Sequence, residues 1–184
     1  MAFQTSVNAR MGAGIPGELA FEGPLRATPA MLNSTSAANN VFGRFFTVAT
    51  NGVPTDSIHE GLKVQAGGTG APVGFLANPK EHALVEADGF TASLDLPNGV
   101  IASFVSMGYL FVDLANAGNP GDQVAYDTAT GALRAVAPGI AAPAGSELIP
   151  TATVYRYASS VTAPYDGLAV IRVTDPNLQI PAGA

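Results

Sequence analysis

Cysteine and tryptophan are both absent from this sequence. Without cysteine there can be no disulfide, no zinc–thiolate site and no thiol nucleophile. Stability must then come from packing or from assembly. Charge is scarce as well: Asp, Glu, Lys and Arg make up 12% of the chain, against about 25% in an ordinary soluble domain. The eight Lys and Arg residues stand singly, and the net charge is −6. A phosphate backbone has nothing to bind here, so no direct contact with nucleic acid is expected. Long apolar runs are missing too. The most apolar uncharged stretch, residues 96–112, is interrupted by Pro97, Gly99 and Gly108, which excludes a membrane helix and leaves no membrane partner to expect. The N-terminal residues show no basic segment followed by an apolar run, so no signal peptide is expected either.

Catalytic chemistry is hard to assemble from what remains. His59 and His82 are the only histidines, each beside a glutamate, Glu60 and Glu81. A zinc or iron site needs three or four converging ligands, so no metal and no cofactor is expected. Gly12, Gly14 and Gly17 match G-x-G-x-x-G, but Pro16 lies inside the motif and Gly23-Pro24 follows it. A dinucleotide site needs a strand before the glycines and a helix after them. The nucleophile elbow G-x-S-x-G is absent. A glycosidase would need paired carboxylates in an aromatic cleft, and aromatic residues make up only 8% of the chain. No catalytic residue is assigned, and an enzyme is not expected.

What is present is apolar and rich in turn-forming residues. Hydrophobic residues make up 47% of the chain. With so little charge, part of the surface is expected to be covered by other subunits; a Ser/Thr/Asn/Gly-rich surface is the alternative. Residues 1–40 carry Gly and Pro at short intervals, with single apolar residues between them: Phe3, Val7, Met11, Ile15, Leu19, Phe21, Leu25. Such a segment cannot hold a helix, and it is too apolar for a free linker. It reads as an extended arm that docks on something, or else as a loop folded onto its own domain. About 30 extended residues span up to roughly 100 Å.

From Val41 the pattern is that of strands. Aromatic and β-branched residues fill 41–48, 62–64, 72–76, 90–96, 100–105, 109–112, 152–157 and 168–173, with turn residues between them. Residues 121–133 read as a hairpin in which Asp127 opens the turn and Gly131 supplies a positive φ. A short helix is expected over 79–87, and a surface loop over 138–145. The fold class expected is therefore all-β, a small antiparallel β-barrel or sandwich (residues 41–175) with an extended N-terminal arm (1–40) and a polar tail (176–184).

The opening Met1-Ala2-Phe3-Gln4-Thr5-Ser6-Val7-Asn8, then Gly14-Ile15-Pro16-Gly17-Glu18, resembles the start of the structural cement (head decoration) proteins of tailed bacteriophages. The similarity continues through Val41-Phe42-Gly43-Arg44-Phe45 and Gly121-Asp122-Gln123-Val124-Ala125-Tyr126. The resemblance implies a β-barrel protein with an arm, sitting on the outer surface of an HK97-fold capsid. It implies the major capsid protein as partner, and other copies of itself, as a trimer. The candidate capsid-binding residues are Phe3, Val7, Ile15 and Phe21 as apolar anchors, with Arg10 and Arg26 as partners for capsid carboxylates. Residues 168–173 are candidates for the contact between copies. Deleting residues 1–25 is expected to leave a folded barrel that no longer decorates heads. A carbohydrate- or receptor-binding module is the competing reading, with Tyr155, Tyr157 and Tyr165 as its candidate platform.

Overall fold

A computed structural model describes residues 14–49, 61–78, 95–157 and 165–174. The helix expected over 79–87, most of the strand over 90–96 and the tail lie outside them. Nine strands are present among the described residues: β1 (Arg26–Leu32), β2 (Phe45–Val48), β3 (Lys63–Ala66), β4 (Pro72–Leu76), β5 (Ile101–Gly118), β6 (Gln123–Asp127), β7 (Leu133–Val136), β8 (Ser146–Tyr157) and β9 (Tyr165–Val173). Among the described residues the only helical piece is a 3-10 turn, Ala37–Asn39. The all-β expectation holds. Pairing is mostly antiparallel, with short parallel contacts between β1 and β3 and between β5 and β7.

The organising element is β5, a single strand of 18 residues. Two strands were expected here, at 100–105 and 109–112, because Gly108 reads as a break. Instead the strand runs through and changes partners there. Up to Met107 it pairs with β1, and it also meets β4; from Gly108 onward it pairs with β9. Two rings therefore share β5. One closes as β5–β1–β3–β2–β4, the other as β5–β7–β6–β8–β9. Closure removes most sheet edges, which stabilises an all-β chain against edge-to-edge association.

Adjacent residues on a strand point to opposite faces, and the shared wall uses both. Phe45, Phe75 and Val105 enter the core of the second ring. Their neighbours Phe46, Leu76 and Phe104 enter the core of the first. This explains why these strands read as unbroken apolar runs instead of alternating. The Phe45 ring packs on Phe75 at 5.1 Å and on Tyr126 at 4.6 Å between centroids. Complete burial of such a ring stabilises by about 2–3 kcal/mol.

Backbone bonds join the rings at one point. The Phe45 N–H donates to Gly131 O at 3.0 Å, Gly67 N–H to Phe45 O at 2.9 Å, and Gly68 N–H to Thr128 O at 2.7 Å. The Tyr126 hydroxyl lies 2.7 Å from Glu147 Oε2 and 3.0 Å from Gly68 O. Burial, and then the Glu147 carboxylate, push the ionisation of this phenol well above its ordinary value. The expected hairpin supplies the other half of the joint. Asp127 Oδ1 accepts from the backbone of Ala129 and Thr130 and from the Thr130 hydroxyl, and Gly131 has φ 71°. The Thr130 hydroxyl is the main reason that the Asp127 carboxyl titrates below its usual range.

The segment expected as arm, residues 1–40, contains β1. Residues Ala27 to Met31 pair with β5 in antiparallel register, and Leu32 is fully buried. Pro29 obscured this strand, because proline cannot donate to a ladder. Among the described residues its outer edge has no partner to lose, since β3 pairs only with Met31 and Leu32. Asn98 also does more than turn the chain. Its Oδ1 accepts from Ser34 N–H at 3.0 Å and from the buried Asn40 Nδ2 at 2.9 Å, and its Nδ2 donates to Ser34 O at 2.8 Å. The segment leaving β1 is thereby fixed to the turn that begins β5.

Candidate interaction surface

Residues 14–25 lie on the barrel. The Gly17 N–H donates to Phe111 O at 2.7 Å, the Phe111 N–H to Glu18 O at 2.8 Å, and the Ala20 N–H to Tyr109 O at 2.9 Å. Asn78, just beyond β4, donates its N–H to Gly17 O at 2.8 Å. This segment thus extends the edge of β5 that β4 leaves unpaired. It also covers an apolar pair outside both cores. Phe111 stands opposite Val170 on β9, and both are buried. A side chain at Gly14 would run into the Phe111 ring at 2.5 Å.

Between Ala20 and Arg26 the chain changes edges of β5. Arg26 opens β1 opposite Met107, on the edge that β9 takes over at Gly108. The crossing is made over Gly108, whose missing side chain would otherwise point at Leu25 and the Pro24 carbonyl, at 3.4 and 3.6 Å. A groove of about 420 Å³ follows the crossing, lined by Leu19, Phe21, Glu22, Pro24, Leu25 and Tyr109, among others.

Beside the groove, Phe21, Tyr109 and Tyr155 form a cluster. Ring centroids are 5.5 Å apart for Phe21–Tyr109, 6.0 Å for Phe21–Tyr155 and 5.0 Å for Tyr109–Tyr155, with ring planes at 66° to 75°. The Arg156 guanidinium sits over the Phe21 ring, 4.2 Å from its centroid. Leu19, Leu25 and Tyr155 are 47%, 49% and 44% exposed, unusual values for large apolar residues gathered in one place. The rings meet edge to face, so they do not make the flat platform on which a sugar stacks.

The sequence-predicted residues fall unevenly on this surface. Phe3, Val7 and Arg10 lie outside the described residues. Ile15 is exposed, its N–H donating to Glu18 Oε2 at 3.3 Å, and it stands apart from the groove lining. Phe21 is half-buried at the centre of the cluster, where it packs on its own barrel. Arg26 is exposed at the end of the crossing. Of the three tyrosines considered for a sugar platform, Tyr155 joins this cluster; the side chains of Tyr157 and Tyr165 lie outside the description. Tyr109 was read only as part of a buried strand. Nothing local in the sequence marks it, because its partners come from residues 21 and 155.

The strand expected to join copies, 168–173, is spent internally. It lies within β9, which is hydrogen-bonded on both edges, to β5 and β8. Ala169, Ile171 and Val173 fill the core of the second ring. Within 168–173 the exposed side chain is Arg172, opposite Tyr109. The aliphatic pattern that suggested a contact between copies is that of a strand enclosed in a ring.

Among the described residues no group of three or more His, Asp or Glu side chains is placed to hold a metal ion, and no helix is long and apolar enough to cross a membrane. Residues 3–174 match the model of the phage structural cement protein family (E217 gp24/Pam3 gp6). The chain belongs to this family. It is a structural component of a phage capsid, and its family is not one of enzymes. The match takes in both rings, the crossing segment and the N-terminal residues that carried the resemblance. A chain from the solved structure "The capsid of Myoviridae Phage XM1" has a similar fold, with a TM-score of 0.60 over 95% of this cement protein and 98% of that chain. At 13% identity that likeness speaks for the fold. No curated protein matches the sequence.

Proposed function

We propose that this cement protein binds the outer surface of an HK97-fold head, bridges neighbouring major capsid protein subunits as a trimer, and so resists their separation. The observation that carries the reading is the family match across residues 3–174. The physical argument supports it. A packed head is under outward pressure, and contacts repeated over a lattice act at high effective concentration, so that weak individual contacts sum to firm retention. The two-ring body is suited to bearing load, with a shared wall buried on both faces and a hydrogen-bonded joint between the rings.

In this reading the capsid contact comprises Phe3, Val7, Arg10, Ile15, Phe21 and Arg26. Of these, Ile15, Phe21 and Arg26 lie on the segment that runs along β5 and crosses it at Gly108. Self-association uses other faces, since β9 is enclosed. Co-sedimentation with expanded, empty heads tests the binding, and light scattering tests the trimer. The protein is expected to pellet with heads and to have three times the chain mass. Absence from the pellet, or a monomer mass at high micromolar concentration and on the shell alike, would contradict it.

A further inference from the structure

We propose that the groove at the crossing over Gly108 holds an extended, carboxylate-bearing segment of the major capsid protein, a proposal that rests on the capsid-binding reading above. Two features identify the occupant. The first is shape. An open, mainly apolar groove walled by Leu19, Phe21, Pro24, Leu25 and Tyr109, with Glu22 among its lining, takes aliphatic side chains of an extended segment, and its rings meet edge to face and leave no flat platform for a sugar.

The second is charge. Arg26, Arg156 and Arg172 border the patch, together with Glu18 and Glu22. Arg156 lies over Phe21, Arg172 stands opposite Tyr109, and Arg26 stands opposite Met107, two residues along β5 from Tyr109. Among the described side chains, three of six basic ones are thus gathered here, against two of seven acidic ones. Asp113, further along the same strand, belongs to the surroundings of Arg44. A locally positive patch on a chain of net charge −6 calls for a partner with carboxylates. A second copy docked face to face would set positive against positive, which a symmetric contact cannot avoid. Arg156 is well prepared for the role. A guanidinium over a ring is held by the π face and keeps its in-plane N–H groups for a bidentate carboxylate.

Arg156→Glu and Leu25→Asp change exposed side chains, and circular dichroism is expected to show the strand signal unchanged. In co-sedimentation titrations with expanded, empty heads, each is expected to weaken binding by roughly tenfold or more, the scale of losing one central contact. Arg156→Lys is expected to fall between, because it keeps the charge but loses the fork. Should either variant lose the strand signal, Arg172→Glu, also exposed, replaces it. Wild-type binding with unchanged binding of the variants overturns the groove proposal and leaves the capsid reading standing. Failure of the wild type to bind overturns both. A variant that binds heads normally but changes the mass in light scattering assigns the groove to a second copy and also overturns the proposal.

Discussion

Replacing Gly67 by alanine is expected to lower the unfolding temperature by roughly 5–15 °C, whereas Gly99→Ala, at a similar φ, lowers it by only a few degrees. Both glycines have positive φ, 66° and 88°, so both substitutions incur the left-handed penalty of about 1–2 kcal/mol. Only Gly67 adds a collision. A Cβ there would lie 2.7 Å from the carbonyl oxygens of Asp127 and Thr128 and 2.9 Å from Gly131 N, while nothing lies within 4 Å at Gly99. Those atoms are backbone of the hairpin, and they cannot withdraw without losing the Gly67–Phe45 and Gly68–Thr128 hydrogen bonds. Overpacking of this kind costs about 1–3 kcal/mol. Calorimetry on the two variants separates the effects. Equal losses would mean that the rings are not held together at this joint.

Two truncations are expected to differ in kind. Removing residues 1–13 leaves every contact described above and deletes Phe3, Val7 and Arg10. Head binding should weaken by at least roughly tenfold, since one buried aromatic anchor can contribute about 1.5–3 kcal/mol. Removing residues 1–25 also strips the Gly17, Glu18 and Ala20 backbone bonds to β5 and uncovers Phe111, now 7% exposed. A loss of about 3–5 kcal/mol is expected, from those hydrogen bonds and the apolar area uncovered. Sequence alone suggested that this longer deletion would leave the barrel untouched; the backbone bonds of Gly17, Glu18 and Ala20 to β5 argue that it would not. If removal of 1–13 leaves decoration unchanged, the N-terminal anchors are not capsid contacts.

How far the sequence could be read depended on where each signal lay. Residues 72–76 and the hairpin over 121–133 were recognisable because the information is local: β-branched and aromatic residues bounded by glycine and proline, an Asp to start the turn, and a glycine where φ is positive. β1 was hidden because its pattern is set by the partner strand and not by alternation. Four of its seven residues are exposed in succession, and among the described residues Pro29 has no ladder partner on its outer edge. The continuity of β5 was hidden for the converse reason. Gly108 looks like a stop, yet the strand runs through it with a φ of 137° that favours glycine. The apolar anchors were visible as isolated Phe and Leu residues, and Phe21 and Arg26 were among those chosen. Their company was not visible. Tyr109, Tyr155 and Arg156 reach Phe21 only through the β5–β9–β8 pairing, a long-range fact with no local trace. The place of 168–173 between β5 and β8 was not legible, because a strand enclosed in a ring and a strand at an interface have the same composition.

The central claim, that this chain strengthens a shell, is tested most directly by heating heads packed with DNA, with and without bound protein, and recording the temperature at which the DNA becomes accessible to a dye. Heads carrying the full chain are expected to release DNA at a higher temperature than bare heads, and heads mixed with the Arg156→Glu variant at a temperature close to that of bare heads. Release at the same temperature with the wild-type protein fully bound would contradict the claim.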